Sequence, residues 1–199
     1  MTYYLVRHGE SEWNVRRLTQ GQTPHPRLTD VGRDHARAAT EILAADLTTR
    51  EERIERLVTS DLARAVETAE IIGAGLGVVA QPDSRLREQG LGRLEGRGYD
   101  ETWAVAAEHD WSDPTLPVAG GESVAALHTR IGAVLAEVGS GPTTVLVSHG
   151  DAIRAALAQV AGLSPVTAPW VTVPNGAVFR VHADGGWEQL TRGDDRSRS

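Results

Sequence analysis

The chain has 199 residues, of which 40% are hydrophobic and 24% charged, enough to bury a substantial core in one globular domain and too few for two full ones. Its net charge is -7, all 20 basic residues are arginine, and cysteine is absent. This excludes a disulfide framework, a thiolate metal site, a cysteine nucleophile and a Schiff-base lysine, and it argues against nucleic-acid and membrane-surface partners. Any anion-binding group must be Arg, His or backbone N–H. The apolar runs are short and interrupted, and a strand pattern starts within a few residues of Met1, so a soluble, cytoplasmic protein without a signal peptide is expected.

Strand and helix signals alternate along the chain. "YYLVRH" reads as a strand, and "LTDVGRDHARAATEILAADL" as a helix capped by Thr29, with Ala36, Ala39, Ile42, Leu43 and Leu47 at helical spacing. Strand "IERLVTS" and helix "DLARAVETAEIIGAGL" follow, the helix closed by Gly75 or Gly77. A short strand near "GVVAQP" precedes the glycine-rich loop "LREQGLGRLEGRGYD", then a helix from about Glu101 to His109. A Pro/Gly-rich connection leads into a helix from about Ser123 to Val138. "TTVLVSHG" reads as a strand buried on both faces, running into the helix "DAIRAALAQVAG". "GAVFRVHADGGWEQL" reads as an antiparallel hairpin. The alternation predicts an α/β/α sandwich with a mostly parallel sheet, spanning 1–191 as one domain with a loop or cap region at about 88–122 and a flexible polar tail at 192–199.

Two strand ends share one pattern. "LVRHG" and "LVSHG" each place a histidine followed by glycine at the carboxyl end of a strand, where open α/β sheets bind ligands. His8 and His149 can therefore face one crevice. "LVTSDLARA" brings Arg64 from the first turn of the next helix, and "LREQG" brings Glu88. Arg7, His8, Arg64 and His149 form a cationic pocket with a carboxylate at its edge, suited to a phosphoryl group. A neutral imidazole there can attack phosphorus if its Nδ1–H is held by an acceptor such as a backbone carbonyl, while Glu88 gives a proton to the leaving alkoxide.

The motifs "LVRHGESEWN", "SDLARAVETA", "LREQGLGRLEG", "GGES" and "VLVSHGDAIRAAL" together resemble the histidine phosphatase superfamily, in its phosphoglycerate mutase-like branch, over residues 3 to about 158. The resemblance implies a three-layer sandwich with a mixed sheet. It makes His8 the phosphorylated histidine, Arg7 and Arg64 the clamp on the phosphoryl group, His149 the second pocket histidine and Glu88 the proton donor. It also implies that Asn14 contacts the phosphoryl group and that Gln20 and Gly21 belong to a substrate-touching loop, with Gly150 and Asp151 at the pocket rim.

Departures from the family pattern bear on the reaction. The mutases carry a longer insertion after the proton donor, with a lysine and paired arginines, and an extended C-terminal tail that excludes water. Here the stretch from Gln89 to Gly120 is short and offers Arg93 and Arg97 as its cations. The expectation is a metal-independent phosphatase of small phosphomonoesters, most like the broad-specificity members, with a mutase or a silent phospho-ligand binder as alternatives. No cofactor and no metal are expected, since the histidines lack ligand spacing and the pocket's charge repels a cation. His35, His109, His128 and His182 read as surface or capped residues, Glu95 as a loop hydrogen-bonder, and Arg16 and Arg17 as solvated. Contacts of the "PHP" loop around His25 and Arg27, and pairing as a homodimer, are left open.

Overall fold

The computed structural model describes residues 2–139 and 141–192. In chain order the elements are β1 (Tyr3–Arg7), α1 (Glu12–Val15), α2 (Asp30–Thr49), β2 (Arg56–Thr59), α3 (Ala63–Leu76), β3 (Ala80–Pro82), α4 (Tyr99–Glu108), α5 (Val124–Val138), β4 (Thr144–Ser148), α6 (Gly150–Val160), β5 (Val178–Val181) and β6 (Trp187–Leu190). The strands form one mixed sheet in the order β3-β2-β4-β1-β5-β6. The β3-β2, β2-β4 and β4-β1 pairs are parallel, and the β1-β5 and β5-β6 pairs antiparallel.

The period-2 alternation of the strands builds two cores. Tyr4, Val6, Leu57, Val145 and Val147 point to the face covered by α2 and α3, where Ala39, Leu43, Ala65, Ala69 and Ile72 meet them. Tyr3, Leu5, Val58, Leu146 and Phe179 point to the opposite face, against Leu127, Ile131 and Val134 of α5 and Ile153, Ala156 and Leu157 of α6. All five residues of β4 are buried, as expected of a central parallel strand. The α/β/α sandwich with a mostly parallel mixed sheet is thus the observed architecture.

Local signals set most element ends. Thr29 caps α2 by accepting from the Gly32 N–H, and α3 closes at Gly77 in the left-handed region (φ 72). Gly75 instead lies inside α3, against Thr40. Two features depart from the sequence reading. The short helix α1 has no counterpart in it; this helix starts at a capping box in which Ser11 accepts from the Asn14 N–H and Asn14 Oδ1 accepts from the Ser11 N–H. The usual pattern has Glu or Gln in the second position, so asparagine hides it. α4 begins at Tyr99, ahead of the expected Glu101, with Gly98 as its N-cap and the Thr102 N–H donating to the Gly98 carbonyl at 3.1 Å.

Residues 88–122 hold two 3-10 turns, Gly92–Leu94 and Val118–Gly120, which share a small cluster of Leu94, Val118 and Ala119, with α4 between them. Of the expected tail, Arg192 pairs with Glu41 at 2.7 Å, and 193–199 lie outside the described residues. Among the described residues no helix is long and apolar enough to cross a membrane.

Candidate active site

β1 and β4 are neighbours in parallel register with Arg7 opposite Ser148, so the next residues, His8 and His149, leave the sheet side by side. Their ring centroids lie 5.0 Å apart, and both side chains are buried. The His8 N–H donates to the Ser148 carbonyl at 3.0 Å, extending the ladder by one step. The turn after His8 packs backbone to backbone on the start of α2. A Cβ on Gly9 would sit 2.0 Å from the Gly32 carbonyl oxygen, and one on Gly32 would sit 1.9 Å from that of Glu10. Glycine is required on both sides of this contact.

The carbonyl of Gly9 lies 2.7 Å from His8 Nδ1. A carbonyl only accepts, so Nδ1 carries the hydrogen and Nε2 keeps its lone pair. Burial, then the Arg64 and Arg7 charges, push the His8 pKa well below its ordinary value, so the ring is neutral. His149 is held neutral by the same causes; its Nε2 shares a 2.8 Å hydrogen bond with Ser60 Oγ, and its Nδ1 is buried without a partner.

Arg64 is the largest fully buried side chain. Its Nη1 donates to the Thr23 carbonyl (2.9 Å) and Nη2 to the Gly21 carbonyl (2.8 Å), while Nε has no partner. No ion pair reaches it among the described residues, and burial lowers its pKa to about 10. Arg7 donates from Nη1 to the Val173 carbonyl at 2.5 Å, and its buried Nε is likewise without a partner. Arg64, fully buried, and Arg7, partly buried, each keep a buried Nε without a partner among the described residues, and together they make a site for an anion.

Glu88 stands at the opposite edge. Its Oε1 accepts from the N–H groups of Asp151 (3.0 Å) and Ala152 (3.1 Å), and Oε2 from Asp151 (3.3 Å). The α6 helix has no side-chain cap of its own, so Glu88 caps it from outside. Burial pushes the Glu88 carboxyl up to about 7, helped by the Asp151 charge, while the N–H donors and Arg7 pull the other way. A Cβ placed on Gly150 would lie 3.6 Å from Glu88 Oε2 and 3.9 Å from Arg7 Cζ, ordinary contact distances, so Gly150 borders both side chains.

The remaining expected residues surround this group. Asn14 Oδ1 accepts from Ser11 N (2.9 Å), Ser11 Oγ (3.0 Å) and Asn175 Nδ2 (3.4 Å). Gln20 Oε1 accepts from Ser11 Oγ at 2.8 Å. Gly21 (φ 47) gives its carbonyl to Arg64, and a Cβ there would meet Glu95 Oε1 at 2.3 Å. Glu95 ties this loop to the acid's loop, accepting from Gln22 N (2.9 Å) and Leu91 N (3.0 Å). Asp151 turns its carboxylate to Arg154 at 2.5 Å, so its backbone, not its side chain, meets Glu88. Arg27 pairs with Glu67 at 2.9 Å, and His25 stands edge-on to Trp13. Arg17 pairs with Asp100 at 3.7 Å on the exposed rim. His35, read from the sequence as a surface residue, accepts from the Glu10 N–H at 3.3 Å beside the His8 turn.

Several residues here had no sequence signal of their own. Ser60 directly follows β2 and meets His149. Asn175 donates to the carbonyls of His8 (3.1 Å) and Gly9 (3.3 Å), and Thr68 Oγ1 accepts from Gly9 N at 3.1 Å. Ser60 lies in an ordinary strand end, and Asn175 in "PNGA" reads as a turn, so long-range pairing alone reveals them.

The chain is 35% identical to the probable phosphoglycerate mutase GpmB of Salmonella choleraesuis (strain SC-B67), over 96% of this chain and 92% of that one. Its structure is similar to the mycobacterial glucosyl-3-phosphoglycerate phosphatase complexed with VO3 (TM-score 0.79, 29% identity, 94% of this chain and 96% of that one). It is also similar to TTHB049 from Thermus thermophilus (TM-score 0.71, 26% identity, 96% and 99% covered). The model of the histidine phosphatase superfamily (branch 1) matches residues 3–195, and the chain belongs to that family.

Proposed function

We propose that this protein is a metal-independent phosphatase that hydrolyses small phosphomonoesters through a phosphohistidine on His8, with Glu88 as proton donor. The observation that carries the reading is the pairing of a neutral His8, its Nδ1–H spent on the Gly9 carbonyl, with a buried Arg64 that has no carboxylate partner among the described residues. The phosphoryl dianion supplies the missing charge, and the free Nε2 faces a group whose oxygens are held by Arg7 and Arg64.

In the first step the Nε2 lone pair forms the N–P bond as the P–O bond to the leaving alkoxide breaks, and the Glu88 proton passes to that oxygen. In the second, water attacks phosphorus, Glu88 takes the water's proton, and the N–P bond breaks to release phosphate and free His8. A carboxyl with a pKa of about 7 suits both directions of transfer. With Ser60 Oγ–H donating to His149 Nε2, the buried Nδ1–H of His149 is free to donate to a phosphoryl oxygen.

Hydrolysis is favoured over phosphoryl retention by the segment after Glu88. Arg93 and Arg97 are both exposed, Arg97 lies 3.9 Å from Glu101, and neither bonds to the His8–Glu88 group. The segment offers two arginines and no lysine, fewer cations than the mutases' insertion carries, and this supports hydrolysis. The test is phosphate release from a panel of phosphomonoesters in the presence of chelator, run beside a phosphoglycerate isomerisation assay. Chelator-resistant release without isomerisation is the expected result; isomerisation faster than release would make the protein a mutase.

A further inference from the structure

The chain around Glu88 is held by two side chains that, among the described residues, hydrogen-bond to none of the other site groups. Arg130, on α5, donates from Nη1 to the carbonyls of Arg85 (2.8 Å) and Arg87 (2.7 Å) and from Nη2 to the carbonyl of Glu88 (2.8 Å). Its Nε and Nη2 also donate to the two carboxylate oxygens of Glu122, each at 2.7 Å. Glu122 Oε2 accepts from the Gly90 N–H (3.2 Å), and its backbone is tied to the same stretch: its N–H donates to the Gly90 carbonyl (2.6 Å), and its carbonyl accepts from Gln89 Nε2 (3.0 Å). The chain is therefore gripped on both sides of Glu88, at 85, 87 and 88 by the guanidinium and at 89 and 90 by Glu122.

This grip has a physical rationale. Three carbonyls turned toward one point need a donor with several N–H groups in fixed directions, and their partner's charge needs closing because the pair is mostly buried, at 19% and 16% side-chain exposure. A guanidinium with a carboxylate meets both demands; an ammonium has three donors but no planar fork. The Glu88 carbonyl also accepts from Gln22 Nε2 (3.1 Å), a neighbour of the carbonyls that hold Arg64. The acid and the phosphoryl clamp thus share one stitched loop assembly.

We propose that Arg130 and Glu122 are positioning residues for proton transfer, holding the Glu88 carboxyl at the leaving-group oxygen; this rests on the reading of Glu88 as proton donor. A displacement of about 1 Å is enough to cost on the order of 100-fold in a step that depends on alignment. The loss falls on substrates that need the proton.

The experiment compares kcat/KM, which reports the steps up to departure of the leaving group, on glycerol 1-phosphate, whose alkoxide leaves poorly, and on p-nitrophenyl phosphate, whose phenolate leaves without help. Arg130→Lys and Glu122→Gln are measured alone, beside Glu88→Gln and Glu88→Gln/Arg130→Lys. The alkyl-to-aryl ratio is expected to fall about 10- to 100-fold in Arg130→Lys, and in the same direction in Glu122→Gln. In the Glu88→Gln background, Arg130→Lys is expected to lower the ratio no further, because both act through one proton. Equal losses on the two esters, or the same fall in ratio with and without Glu88, would overturn the positioning role. Glu88→Gln leaving the ratio unchanged would instead remove the proton-donor reading, and the inference with it. Should Arg130→Lys fail to fold, Glu122→Gln keeps the side-chain shape and decides between the same outcomes.

Discussion

Burial acts with opposite consequences on the titratable residues of the pocket. It keeps His8 and His149 neutral, which leaves His8 the lone pair the proposed attack needs, and it keeps Glu88 protonated to about pH 7, as the proposed proton donor requires. Hydrolysis of alkyl esters should therefore fall as pH rises through about 7 or somewhat above, while aryl esters lack this limb. Paired kcat–pH profiles check this, and a shared limb would assign it to another group. The same shift sets a stability prediction. Because the folded Glu88 pKa lies above its unfolded value, the stability tied to its proton is complete below the unfolded value and is lost as pH rises through about 7. Glu88→Gln, neutral at every pH, should melt at a higher temperature than the wild type at pH 8, with the gap closing toward pH 5; a gap that widens on acidification would contradict the shift. His8, Arg64 and His149 were legible in the sequence because each follows a strand within a few residues. Ser60, Asn175 and Arg130 were not, because their partners lie 89, 167 and up to 45 positions away.

The secondary elements turn these residues into a site through register and helix ends. One slip of β1 against β4 would turn every side chain to the other face and separate the two histidines. The α6 N-terminus is completed by Glu88, so helix and acid position each other. On the far side, α2 packs Leu43, fully buried, against the sheet under β1. Leu43→Ala should cost about 2–5 kcal/mol of folding stability by denaturant titration while leaving kcat of the folded fraction near wild type. A large fall in kcat at full folding would mean that α2 packing sets the geometry of the site directly. Strands and the longer helices were readable from periodicity. The loop expected at 86–100 holds a 3-10 turn and the first two residues of α4, and the connection expected before α5 holds a second 3-10 turn, since Gly-rich stretches carry no period and their shape depends on partners such as Glu95 and Arg130.

Across the whole molecule, the alternation of strands and helices announced a layered α/β fold, but the order β3-β2-β4-β1-β5-β6 depends on pairings between distant segments that no local pattern encodes. That order puts the histidines where β4 has β2 on one side and β1 on the other, at the carboxyl ends of three parallel strands. The pocket so formed is overcharged for an empty site. An anion that fills it should stabilise the fold: inorganic phosphate at about 100 times its Kd should raise Tm by about 5–10 °C. Arg64→Gln should lose most of that rise; a full rise in that variant would place the anion elsewhere. The central claim is the covalent intermediate, and it is tested most directly by quenching the protein in base during turnover of a phosphoryl-labelled ester. The account predicts label on the protein that survives base, is released by acid, and is absent from His8→Ala; turnover by a wild-type protein that never carries label, or label that persists in His8→Ala, would contradict it.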